Sequence, residues 1–272
     1  MGFLGCTPHS ESSKKTLYVS ILPLQTLVSS IVEDDFNLEV LVAAGASPET
    51  FEPTPKQFIA LNKAQLIFST GLINFEQSLL SKVEQKEKVI NLSEGIEVIA
   101  GSCAHQHNAH QHTCGVDPHI WTSPRELQIM AANAYRAIAA AYPDSVKYTH
   151  NFEQLQLRLQ ELDRKTSEQI AHSGVSCFLI YHPALTYYAR AYGLQQIAIE
   201  NEGKEPTAKR LSEMIGIAKE QNINRIFYQS QFPASSVEVI AHDIHGEAIA
   251  IDPLAASVLE NIAHITHLIT TR

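Results

Sequence analysis

Between Ser145 and about Ala171 the chain meets no Gly or Pro, and Phe152, Leu155, Leu159 and Leu162 fall on one helical stripe. A helix of that extent is roughly 40 Å long at 1.5 Å per residue. That is long for an element buried in one globular domain and suits a strut between two. Pro143 stops the preceding segment, and Asp144 is the expected N-cap of the long helix.

The chain alternates on both sides of this strut. Strands are expected at 16–22, 38–43, 65–70 and 88–92, with helices at 23–32, 55–62 and 75–83 between them. After a helix over 124–142 and the strut, strands at 177–181, 194–199, 225–229 and 247–251 alternate with helices at 184–192, 207–221 and 234–243, and a helix over 255–270 closes the chain. Such βαβ alternation signals parallel sheets with helical crossovers. The expectation is an α/β protein of two lobes, each a mostly parallel sheet flanked by helices, joined by one long rigid helix. A tether covers 1–15, the first lobe 16–143, the interlobe helix 144–172 and the second lobe 173–272. A chain of 272 residues is long enough for two lobes of about 130 residues.

Ligands of open parallel sheets bind beyond the carboxyl ends of the strands. Glu49 follows the strand at 38–43, His182 follows 177–181 and Asp252 follows 247–251, while His119 lies between the first lobe and the helical section. Two candidates come from each lobe, so all four could meet in the cleft. Singly, each has an ordinary alternative: a hydrogen-bonded structural histidine, a turn aspartate before proline, a solvated glutamate. Spacing alone leaves these open.

The segments "PETFEPTP", "DPHIWTSP", "YHPALTYYARAYGL", "EGKEPTAKRL" and "IDPLA" occur in this order from residue 48 onward. Together they resemble the zinc- and manganese-type metal-binding substrate-binding proteins of bacterial ABC transporters. The resemblance implies two α/β lobes on a rigid helix, one metal ion held between them, and delivery to a permease in the cytoplasmic membrane. It matches His119 to the histidine of "DPHxW" and His182 to a position that is His in zinc proteins and usually Glu in manganese ones. It matches Asp252 to a carboxylate before the "DPL" turn. The first family ligand is normally a histidine, and here that position is Glu49.

Two imidazoles and two carboxylates suit Zn²⁺, which takes such donors at about 2.0–2.2 Å. Mn²⁺ and Fe²⁺ accept the same groups, but intrinsic affinity favours zinc. The two carboxylates would balance a divalent charge and lower the cost of burying it. Zinc is the expected cargo, with manganese or iron as alternatives. A zinc-dependent hydrolase is the competing class, but the chain has no HExxH motif, nucleophile elbow or phosphate loop, so it is not expected to be an enzyme.

The stretch "CAHQHNAHQHTC" places His105, His107, His110 and His112 between Cys103 and Cys114. Zinc-type members of the resembled family carry a His-rich loop in this region, which implies a weak accessory metal site. A solvated polar loop is the alternative. Cys103 and Cys114 could form a disulfide, favoured by an oxidising periplasm and worth about 3 kcal/mol in the chain-entropy model, or serve as thiolate ligands. Cys177, within an apolar run, is expected to be a buried small hydrophobe. Cys6 in "FLGC" resembles a lipoprotein processing site and is the candidate lipid anchor. The expected location is the periplasm or the outer face of a bacterial membrane. A formal net charge of -9 argues against a nucleic-acid partner.

Overall fold

The computed structural model describes residues 14–101, 115–200, 203–232 and 234–271. Cys6, Cys103, His105, His107, His110, His112 and Cys114 lie outside the described residues. Among those that are described, no helix is long and apolar enough to cross a membrane.

The first lobe runs β1 (Thr16–Val19), α1 (Leu22–Val32), β2 (Asn37–Val40), α2 (Pro55–Lys63), β3 (Leu66–Ser69), α3 (Asn74–Leu80) and β4 (Val89–Asn91). Its sheet has the order β2-β1-β3-β4, and every ladder is parallel. Then come α4 (Pro124–Ala141) and α5 (Val146–Ser173). The second lobe runs β5 (Cys177–Ile180), α6 (Thr186–Tyr192), β6 (Gln195–Ala198), α7 (Ala208–Glu220), β7 (Arg225–Gln229), α8 (Ser235–Asp243), β8 (Glu247–Ile251) and α9 (Val258–Thr270). Its sheet repeats the pattern as β6-β5-β7-β8, again wholly parallel. Two parallel-sheet lobes and one long connecting helix are therefore present.

Several strands end earlier than the apolar runs suggest. Ser20, Leu41 and Tyr181 still hydrogen-bond a neighbouring strand through their N–H groups, but the chain is already turning toward the cleft. The long helix begins at Val146, with Ser145 rather than Asp144 at its N-cap. Pro143 and Asp144 form the turn itself, and the Ser145 N–H closes on the Tyr142 carbonyl at 3.3 Å. α9 starts three residues later than expected from Ala255, because Asp252 and Ala255 are joined in a turn. Cys177 is half-buried, not buried. It opens β5 at the end of the sheet away from the cleft, with its Sγ 3.9 Å from Gln221 Oε1.

α5 is 28 residues long, about 42 Å. It packs on α1 and α4 from the first lobe and on α9 from the second. Leu155 and Leu159 are buried on it as the stripe implies, and Tyr148, Thr166 and Ile170 extend that face. The apolar residues around it form one core running from Leu17 to Ile269 across both lobes. Gly174 ends α5 in the left-handed conformation, where the absence of a Cβ removes the steric cost. A second apolar cluster, including Leu179, Met214, Ile226 and Ile240, joins the second sheet to α7 and α8. The shared core holds the two sheets at one relative position and leaves their carboxyl ends facing a cleft.

Candidate metal centre

His182 lies two residues beyond β5, and its backbone is gripped by Gln229 at the end of β7. The Gln229 amide donates to the His182 carbonyl at 2.7 Å and accepts the His182 N–H at 3.3 Å. The ring is fixed separately: its Nδ1 lies 2.8 Å from a carboxylate oxygen of Glu200, a residue just beyond β6 and almost wholly buried. Phe232 stacks on the ring at 5.2 Å between centroids.

His119 is built in the same way from the other lobe. It sits in the turn before α4, where its N–H and its Nδ1 both reach Asp117 Oδ1, at 2.9 and 2.8 Å. Trp121 lies against it and donates from Nε1 to the Pro253 carbonyl of the second lobe at 2.9 Å. Both imidazoles thus have one nitrogen engaged by a buried carboxylate, the usual arrangement behind a metal-ligating histidine. With those Nδ1 atoms protonated, each Nε2 carries a lone pair. The two Nε2 atoms are 3.4 Å apart. Glu49, half-exposed, brings Oε1 to 3.2 Å from His182 Nε2.

Burial acts first on His182 and disfavours its charged form. The Glu200 hydrogen bond and the charges of Glu49, Glu200 and Asp117 outweigh that, so its pKa is raised above the ordinary imidazole value. Burial pushes the Asp117 carboxyl upward, but its bonds to His119 prevail and hold it below the usual carboxylate value.

Asp252 is placed differently. Its Oδ1 accepts from the Leu254 N–H at 3.0 Å and from the Gln231 amide at 3.3 Å. The carboxylates paired with the two histidines are Asp117, Glu49 and Glu200, and among the described residues none of these pairings involves Asp252. Glu49, His119 and His182 line the pocket, as do Gln231, Pro253 and Leu254. Among the described residues, no group of three or more His, Cys, Asp and Glu is drawn close enough to enclose an ion. The space measures about 50 Å³. That is room for an ion with a water.

Sequence reasoning missed Asp117, Glu200, Gln229 and Gln231. Glu200 carried a usable signal, since it directly follows an expected strand as His182 does. Asp117 precedes proline and reads as an ordinary turn residue.

Two parallel-sheet lobes on one long helix, with carboxylate-backed imidazoles facing across the cleft, define a metal-binding substrate-binding protein. The family described as "Zinc-uptake complex component A periplasmic", ZnuA, matches residues 17–270, and the chain belongs to that family. A solved structure, "Crystal structure of ZnuA", superposes with a TM-score of 0.86 at 32% identity, covering 95% of this chain and 98% of that one. The high-affinity zinc uptake system protein ZnuA of Bacillus subtilis is 27% identical over 256 residues, covering 90% of this chain and 80% of its own length. The zinc-binding lipoprotein AdcA of Streptococcus pneumoniae is 23% identical over 269 residues, covering 95% of this chain. The chain spans about half of that relative's length, 54%. The matched proteins are described by zinc uptake or zinc binding, and none of these descriptions is of an enzyme.

Proposed function

We propose that the chain captures one divalent transition-metal ion, zinc foremost, in the interlobe cleft outside the cytoplasm and surrenders it to an ABC permease. The observation that carries this reading is the 3.4 Å separation of the Nε2 atoms of His119 and His182. Two nitrogens about 2.05 Å from a tetrahedral zinc are about 3.4 Å apart. A proton holds the two nitrogens at this distance in the metal-free chain, a metal ion can take its place between them, and the Glu49 carboxylate adds the one negative donor. His119 and His182 are the core ligands of the proposed site. Glu49 is the third, and Asp252 joins only if it turns away from Gln231.

The experiment is metal analysis of the purified chain followed by chelator competition on the parent and on His119→Ala and His182→Ala. Tight zinc binding in the parent that is lost in both variants supports capture. Unchanged affinity in both variants removes the site.

Glu49 favours a second reading, a manganese- or iron-selective version of the same capture, because it puts an oxygen donor where the resembled zinc proteins have nitrogen. Direct competition between the metals separates the two. His105, His107, His110 and His112 are proposed as a weak accessory site, with Cys103 and Cys114 disulfide-linked and Cys6 as the lipid anchor. Deleting residues 104–113 should remove extra weak metal equivalents and leave one tight site. Mass spectrometry of the oxidised protein tests the cysteine pair.

A further inference from the structure

A short antiparallel clasp stands behind His119. The Gly101 N–H donates to the Gly115 carbonyl at 2.7 Å, Ala100 pairs with Val116, and the Asp117 N–H donates to the Ile99 carbonyl at 2.8 Å. The approach is so close that a Cβ on Gly101 would lie 2.8 Å from the Gly115 oxygen. The remaining link comes from the other lobe. Tyr187, on α6, is fully buried. Its hydroxyl accepts from the Ile99 N–H at 3.1 Å and donates to the Asp117 carbonyl at 2.8 Å. Arg190, nearly one turn further along α6, covers the Tyr187 ring at 5.0 Å and reaches the Glu97 carbonyl at 2.9 Å and the Glu126 carboxylate at 2.8 Å.

We infer that Tyr187 is a positioning residue for the metal site: from the second lobe its hydroxyl fixes the Asp117 backbone and, through the Asp117 carboxylate, the ring of His119. The inference rests on the capture reading of that site. Every step is a hydrogen bond of 3.1 Å or less: the Ile99 N–H donates to the Tyr187 hydroxyl, that hydroxyl donates to the Asp117 carbonyl, and Asp117 Oδ1 meets the His119 N–H and Nδ1. Without the hydroxyl, the Ile99–Asp117 pair keeps a single bond and residue 117 gains freedom. A ligating ring must be held to within about 0.5 Å and 10–20° of its productive geometry. The arrangement makes His119 a first-lobe ligand whose aim is set by the second lobe, so the site is preorganised across the cleft.

The neighbouring tyrosine supplies the control. Tyr188 is equally buried, but its hydroxyl donates to Thr266 on α9 at 2.9 Å and has no path to His119. Tyr187→Phe and Tyr188→Phe each delete one buried hydroxyl from the same helix. In the full chain, Tyr187→Phe should weaken zinc binding by about tenfold or more, the low end for outer-shell partners of a metal ligand. It should also change the visible absorption of the Co²⁺-substituted protein. Tyr188→Phe should lower the melting temperature comparably and leave zinc affinity and the Co²⁺ spectrum as in the parent. In an Asp117→Ala background, which removes the acceptor of both His119 bonds, Tyr187→Phe should cost nothing further, because the route runs through the Asp117 carboxylate. If Tyr187→Phe does not fold, Arg190→Gln loosens the same ring and faces the same outcomes. A variant of this clasp that binds zinc within twofold of the parent, with an unchanged Co²⁺ spectrum, overturns the inference alone. A parent that takes up no zinc, or a His119→Ala that binds as the parent does, overturns the capture reading and this inference with it.

Discussion

His119 and His182 come from opposite lobes, and their Nε2 atoms approach to 3.4 Å while each Nδ1 is held at 2.8 Å by its own buried carboxylate. Neither ring can turn away without breaking its carboxylate bond. Replacing either by Ala should therefore cost more than the roughly 10- to 100-fold typical of outer-shell partners. If the two rings act on one ion, as proposed, the double variant should be little worse than the worse single one. Chelator competition on the three variants checks both statements, and fully additive losses would show that the rings act independently.

Zinc affinity should fall with pH, and the fall should begin above the ordinary imidazole pKa of about 6.5. His182 is the reason, since Glu200 and Glu49 favour its proton in the metal-free chain. Protons compete with metal below the raised value and not above it, so affinity is complete at alkaline pH. The sign reverses for folding of the metal-free chain: a raised pKa stabilises the fold below the unfolded value, and this is lost as pH rises through the folded one. Glu200→Gln should bind zinc more weakly at pH 8, because the ring is held less firmly, yet lose less on going to pH 6. Parallel pH profiles for parent and variant would exclude the role assigned to Glu200.

The interlobe helix was legible from local chain logic, whereas the two histidines were singled out by the family resemblance, strand-end spacing alone leaving them open. A helix with no breaker from Ser145 to Ala171 has few alternatives, and a residue just past a parallel strand, as His182 is, lies at the cleft end of its sheet. What was not legible depends on contacts between distant segments. Glu200 meets His182 through the pairing of β5 with β6, and Tyr187 meets Asp117 across the lobes. Asp252 follows its strand as expected, yet its carboxylate is turned by Gln231 and by the Leu254 N–H. Strand-end logic gives a side chain's address and not its orientation. The Asp144 cap failed for a narrower reason: the turn consumed the capping residue, and the helix began one position later.

Leu159→Ala should cost about 2–5 kcal/mol, the usual range for emptying a buried leucine site. Leu159 is fully buried on α5 in the core shared by both lobes. Leu157 on the same helix is 57% exposed, and its alanine variant should stay within about 0.5 kcal/mol. Denaturant titration measures both. Because one core spans the lobes, the loss should appear in a single transition and not in the melting of one lobe.

Glu49 is half-exposed at the cleft rim and reaches His182 Nε2 at 3.2 Å. If it is a ligand, Glu49→Ala should weaken zinc by at least about tenfold. Glu49→His should restore zinc binding and weaken manganese relative to zinc, because an imidazole replaces a hard oxygen donor. Competition titrations with both metals decide. A Glu49→Ala chain that binds both like the parent would make Glu49 a bystander and leave the site with two histidines and solvent.

Gln231 governs the last donor. Its amide holds Asp252 Oδ1 at 3.3 Å, beside the 3.0 Å bond from the Leu254 N–H. While that contact stands, the proposed site has two nitrogens and, if Glu49 ligates, one carboxylate oxygen, a set that water would complete for four-coordinate zinc. Gln231→Leu removes the amide and keeps the bulk. The freed carboxylate then has only the Leu254 N–H to hold it, and it can turn toward the ion as a further oxygen donor. Additional oxygens favour manganese more than zinc, although the steep order of intrinsic affinities should keep zinc ahead. The manganese-to-zinc affinity ratio should therefore rise in Gln231→Leu, and Asp252→Ala added to it should cancel the rise. Asp252→Ala in the parent background should change zinc affinity little, because the carboxylate there is engaged elsewhere. A large loss of zinc from that single variant would show that Asp252 already serves the ion and that the Gln231 contact gives way when metal enters.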